Sequence, residues 1–195
     1  MGYKFKILQA VYIILLHTYT SLQSSCKDNN NCRNTQIVFY LALAIGCLTM
    51  TSTVYSANGK GTEFDQYLLE KNILDPQFKI KNKTALDEIL LAMSEEDSRT
   101  LPYQVDQNMI MEKMNSTSNH IQIEGVITTS DFEQFEKDVG IKAVKTLIKK
   151  NSLQNCDLLF EHAFQRVNPY DLNLKLASSD QVYDINIKNT ECTFK

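Results

Sequence analysis

Few side chains in this 195-residue chain have the type and spacing to do chemistry, and cysteine comes first. Of its five cysteines only Cys156 and Cys192 lie beyond residue 57. They form no Cys-x-x-Cys and have no histidine pair nearby, so the spacing offers no zinc site. In an exported chain, two such cysteines pair as a disulfide. That cross-link restricts the unfolded chain by roughly 3–4 kcal/mol on the loop-entropy account. It also consumes both thiols and leaves no nucleophile. His120 and His162 fall in different predicted elements, a strand start and an amphipathic helix, and read as surface or boundary residues. Glu95, Glu96 and Asp97 are contiguous, so their carboxylates diverge rather than converge on a metal or a proton. Asn58–Thr62 (NGKGT) lacks the spacing of a phosphate loop and reads as linker. Gly-x-Ser-x-Gly and His-Glu-x-x-His do not occur. The expectation is a non-enzyme with no catalytic, cofactor or metal residues. The alternative is an enzyme whose site is assembled from dispersed residues.

Whether the cysteines meet an oxidising compartment depends on the N-terminal stretch. Ile37–Met50 (IVFYLALAIGCLTM) is almost unbroken apolar sequence, short of the about 20 residues that a spanning helix needs and close to the length of a signal-peptide core. Thr51–Ala57 follows with small and polar residues, and Val54-x-Ser56 before Ala57 fits a cleavage site. A second apolar run, Ile7–Leu16, stands behind Lys4 and Lys6, and the Asn-rich Ser24–Gln36 separates the two. Three arrangements fit: an upstream extension before the true signal, a tandem membrane anchor, or a signal at Ile7–Leu16 with Ile37–Met50 buried or interfacial. Ala44-Ile45-Gly46-Cys47 has the shape of a lipobox, so Cys47 is a candidate lipidation site. It can equally be one small hydrophobe within the run. All arrangements but the anchor take the chain out of the cytosol, to the periplasm, to the inner face of the outer membrane, or into the medium.

Charge narrows the partner. Residues 58–195 carry 16 Lys and Arg against 22 Asp and Glu, a net charge of −6. With no basic block, nucleic acid is excluded as a partner, because phosphate binding needs clustered positive charge. Membrane contact is expected only through the N-terminal segment or a lipid anchor. Asn82-Lys83-Thr84 and Asn115-Ser116-Thr117 match the glycosylation sequon, which matters only in a eukaryotic source.

The elements that position these residues alternate in type. Phe64, Tyr67, Leu68 and Lys71 have helical spacing. Thr84 is the expected cap of a helix whose stripe is Leu86, Ile89, Leu90 and Met93, with Ser94–Arg99 as the loop that ends it. Leu101-Pro102 breaks the chain. Asn108–Met114 and Ile121–Ile127 read as a hairpin around Ser116–Asn119, with Gly125 marking a bulge or a close backbone approach. Ser130-x-x-Glu133 opens one long helix to about Lys150, with Phe132, Phe135, Val139, Val144, Leu147 and Ile148 inward. Lys142, Lys145 and Lys149 line its other side, as a solvated face or as a docking stripe for an acidic partner. A shorter helix follows Cys156, and Leu172–Leu176 and Tyr183–Ile187 alternate as a second hairpin. The fold class is α+β: two hairpins forming one antiparallel sheet packed on a long helix. The organisation is an extension (1–36), a signal-like segment (37–57), a linker with helices (58–100) and an α/β core (101–195).

The order Leu101-Pro102, Val105-Asp106, hairpin, long helix, Cys156, short helix, a Tyr170-bearing strand, strand, Cys192 resembles small exported bacterial α/β proteins with one disulfide. Among them are the lipoprotein pilotins of type II secretion. That resemblance implies a binding protein of the envelope that holds a short segment of a secretion component. The other readings are a periplasmic immunity-type inhibitor and a secreted effector. The partner is expected to be another envelope protein or a peptide from one. Met109, Met111, Ile121 and Ile123 on the first hairpin are the candidate lining of its groove.

Overall fold

Alternating apolar residues in four segments demand a sheet with one covered face, and the computed structural model supplies it. The structure describes residues 61–105 and 108–195. Both apolar runs of the N-terminal stretch, the cleavage site and Cys47 lie outside these residues. Among the described residues no helix is long and apolar enough to cross a membrane.

The elements are α1 (Glu63–Glu70), α2 (Lys83–Ser98), β1 (Tyr103–Gln104), β2 (Met109–Ser116), β3 (His120–Ile127), α3 (Ser130–Val139), α4 (Ile141–Gln154), α5 (Cys156–Leu159), α6 (Ala163–Val167), β4 (Asp171–Ala177) and β5 (Val182–Lys188). The five strands lie in the order β1-β2-β3-β4-β5. β1–β2, β2–β3 and β4–β5 are antiparallel, but β3 and β4 run parallel, His120 opposite Asp171 through Val126 opposite Ala177. The expectation of one antiparallel sheet is therefore corrected to a mixed one. A tight turn returns the chain antiparallel, whereas the helical connection from α3 to α6 brings it back to the end where β3 began.

One face of this sheet is the core. Met109, Met111, Met114, Ile121, Ile123, Ile127, Leu172, Leu174, Leu176, Tyr183, Ile185 and Ile187 are buried there with Leu86 and Leu90 of α2 and Val144 and Ile148 of α4. Leu68 of α1 and Ile73 and Leu74 after it join the same cluster. The other face carries Gln122, Glu124, Asn173, Lys175, Asp184 and Asn186.

The long helix is in fact two. Gly140 has φ 84°, ends α3 and begins α4. Such a φ suits glycine and breaks the helical ladder. The break separates the expected inward stripe. Val144 and Ile148 are buried and Leu147 half-buried, α3 has no buried residue, and Val139 is exposed. Phe132 still packs edge-on against Tyr183, centroids 5.8 Å apart. α2 starts earlier than Thr84, with Asn82 Oδ1 accepting from Ala85 N–H (3.1 Å), and runs on through the expected loop to Ser98. α3 is capped by Thr129, whose Oγ1 accepts from Asp131 N–H (3.2 Å), one residue before the expected cap. Gly125 combines both expected roles: β2 bulges opposite it between Met111 and Lys113, and a Cβ there would sit 2.9 Å from Ile110 O. Any other residue would push the two strands apart.

Candidate functional site

Cys156 and Cys192 are bonded, at a Cα–Cα distance of 5.8 Å. Cys156 begins α5 and is buried, and Cys192 follows β5 by one short turn. The bond ties the last strand to the helical crossover. Phe194 beyond it packs edge-on against Phe160 (6.2 Å) and under the Arg166 guanidinium (5.0 Å).

The four groove candidates have a different place. Met109, Met111, Ile121 and Ile123 are at most 2% exposed and belong to the closed core. Their alternation marks the covered sheet face, and the cover is provided by the chain's own helices rather than left to a partner. Lys142 and Lys145 do stand exposed on α4, while Lys149 donates to Glu191 Oε1 (2.7 Å).

The densest polar chemistry lies where no motif pointed. Asp65 on α1 is fully buried. Its carboxylate accepts from Thr62 N–H (2.8 Å), Thr62 Oγ1–H (2.8 Å), Ala163 N–H (2.9 Å) and Phe164 N–H (3.3 Å). His162 Nδ1 lies 2.7 Å from Thr62 Oγ1 and 4.0 Å from Asp65 Oδ2. The Thr62 hydroxyl has one proton, and it goes to Asp65. The His162 contact must therefore run from Nδ1–H to Oγ1. Phe64 and Phe164 flank the imidazole at 5.0 and 5.7 Å. The group fastens α1 to the start of α6. Thr62-x-x-Asp65 was the available signal, a capping pattern just before an apolar helix. His162, a hundred residues on, gave none.

His120 joins a second carboxylate on the open sheet face. Its Nδ1 is 2.8 Å from Asp171 Oδ1, and Asn186 Nδ2 donates to Oδ2 at 2.8 Å. Partial burial opposes ionisation of Asp171, but the bonds from Asn186 and His120 outweigh it and hold the carboxyl below its usual range. Tyr170, next in the chain and buried on the core side, moves the other way. Desolvation raises its hydroxyl to about 12, against a smaller opposing bond with Ser116. Tyr183 is likewise raised, by burial and then by Glu136. Glu191 is held low by the bond from Lys149 and by the Lys188 N–H. Among the described residues no three His, Cys, Asp or Glu side chains converge as a metal site would require.

No family model matches the chain, and no curated protein does. Among solved structures it is similar to a Pseudomonas aeruginosa protein described as secreted, at 11% identity and TM-score 0.35, over 57% of this chain and 96% of that one. It is also similar to the pilotin EpsS of the Vibrio vulnificus type 2 secretion system, at 13% identity and TM-score 0.31, over 58% and 96% of the two chains. A third is the type II secretion pilotin AspS of Vibrio cholerae, at 12% identity and TM-score 0.31, over 56% and 94%.

Proposed function

We propose that this chain is an exported, non-enzymatic binding protein of the bacterial envelope, acting in the manner of a pilotin by holding a segment of another envelope protein. The observation that carries the reading is the Cys156–Cys192 bond. It is built into the fold between a buried helix start and the end of the last strand, a cross-link that persists where thiols are oxidised. The side chains best suited to chemistry support the binding half of the proposal. Asp65 and Thr62 are engaged in joining α1 to α6, and His120 and Asp171 in joining β3 to β4. What remains for a partner is surface.

The test is made on protein expressed in its native host with a C-terminal tag. Non-reducing peptide mapping should link the Cys156 and Cys192 peptides, and intact mass should show a chain beginning near Ala57, or at a lipidated Cys47. Crosslinking before lysis should capture one defined envelope protein. Two free thiols in a cytosolic chain that retains Met1–Gln36 would overturn the proposal.

A further inference from the structure

The sheet has two edges, and the chain treats them differently. In an antiparallel pair, successive residues alternate between bonding the neighbouring strand and turning their N–H and C=O away. On β2 the turned-away groups belong to Met109, Met111, Met114 and Ser116. β1 takes the first two, with Met111 opposite Tyr103 and Val105 N–H donating to Met109 O (2.9 Å). The bulge after Met111 distorts the edge, and Ser94 Oγ on α2 accepts from Ser116 N–H (3.0 Å). These are the devices by which a sheet edge is closed.

On β5 the turn fixes the phase. Ser178 N–H donates to Gln181 O (2.8 Å), and beyond the strand Asn189 N–H donates to Tyr170 O (3.0 Å). Tyr183, Ile185 and Ile187 therefore bond β4, and Val182, Asp184, Asn186 and Lys188 face outward. The Lys188 N–H is closed by Glu191 Oε2 (2.9 Å). Among the described residues nothing closes Val182, Asp184 or Asn186. β5 is the terminal strand, and Val182 is 64% exposed.

α4 lies against β5. Its sequence IKAVKTLIKKNSLQ has four lysines and no acid, within a chain of net charge −3. α3 sits at the turn end of β5 through Phe132 and Tyr183, and Lys149 reaches Glu191 beyond its other end. Lys149 thus brings α4 to the end of the open edge, and Lys145 and Lys142 stand exposed one and two turns back on the same helix.

We infer that the backbone of Val182–Asn186 is a docking edge for an extended acidic segment of the partner, which adds a sixth strand and places its Asp or Glu side chains against Lys142 and Lys145. The inference rests on the binding reading above and gives it a site and a partner chemistry. A second copy of this chain fits poorly. Antiparallel self-pairing centred on the edge sets Asp184 against Asp184, shifted registers meet the closed Lys188 N–H, and both lysine helices come together.

The probe is a synthetic heptapeptide of alternating Val and Glu, titrated by fluorescence anisotropy and by amide hydrogen exchange. It should bind and slow exchange at Val182, Asp184 and Asn186. The Val and Lys counterpart should bind about tenfold more weakly or worse, as should the K142E/K145E double variant with the acidic peptide. Asp184→Pro removes an outward N–H that the fold does not use, so it should keep the wild-type circular dichroism yet lose the peptide. Binding without protection of those three amides overturns the inference. So does binding to phosphatidylglycerol vesicles that K142E/K145E abolishes and Asp184→Pro spares, and so does self-association that protects the same amides. Capture of a native envelope partner with these amides unprotected overturns it while leaving the proposed function standing. Failure of both captures removes the two together.

Discussion

Two histidine–carboxylate pairs stand among the described residues, and they do opposite work. His162 and Asp65 are 5% and 0% exposed and joined through the Thr62 hydroxyl, and the Asp65 carboxylate accepts from the main-chain N–H groups of Thr62, Ala163 and Phe164. His120 and Asp171 are about one-third exposed and in direct contact at 2.8 Å. The closer pair is the weaker one. Water screens it and competes for both partners, whereas the buried carboxylate is the acceptor on which backbone N–H groups from two distant segments depend. Distance between charges is a poor guide to worth, and the number of donors stranded when one partner goes is a better one.

The largest effect that sharpens this contrast is Asp65→Ala. It leaves the N–H groups of Thr62, Ala163 and Phe164 without their acceptor and should cost on the order of 3–5 kcal/mol in chemical denaturation. A loss below about 1 kcal/mol would break the comparison. Cys156→Ser, made in the oxidised protein, tests whether the crossover that carries His162 needs the cross-link as well. Released loop entropy should lower stability by roughly 3–4 kcal/mol, with a matching drop in melting temperature.

Tyr170 and Asp171 extend the contrast to pH. Burial raises the Tyr170 hydroxyl from 10.0 to about 12, so its contribution is whole below pH 10 and is lost as pH rises through about 12. That alkaline loss should be about 2–3 kcal/mol, and Tyr170→Phe should remove it. Asp171 is lowered, so its contribution is present above the ordinary carboxylate range and lost as pH falls through its folded value. The difference in denaturation midpoint between wild type and Asp171→Asn should therefore shrink in acid. The smallest effect is His120→Ala at neutral pH, below about 1 kcal/mol, as befits a pair so exposed.

These predictions also mark what the sequence could and could not say. Leu172–Leu176 and Tyr183–Ile187 were legible as strands because a period of two with one apolar face has few other meanings. The Cys156–Cys192 bond was legible because the region holds no other cysteine. Met109, Met111, Ile121 and Ile123 were legible as one apolar face, but alternation is the same whether a helix of the same chain or a foreign segment covers it. Gly140 stood within an apolar stripe that continues on both sides, so the break was hidden. The parallel meeting of β3 and β4, and the partnership of Asp65 with His162, depend on residues far apart in the chain, where local pattern carries no signal. The two sheet edges were invisible for a similar reason. Which backbone groups turn outward follows from turn phase and strand order, not from residue type.

The parallel junction at the middle of the sheet has a consequence for how the chain comes into being. Each hairpin can form from its own neighbours, but neither can cover its apolar face alone. β3 meets β4 only after the whole helical crossover has been made. The nucleus that commits the chain therefore joins segments of high sequence separation, which makes folding slow relative to local helix and hairpin formation. Until residue 187 is available the core lacks two of its strands. Until β4 docks on β3, the apolar strands of both hairpins stand open to foreign pairing, so the assembling chain is exposed to aggregation for as long as the crossover takes to form.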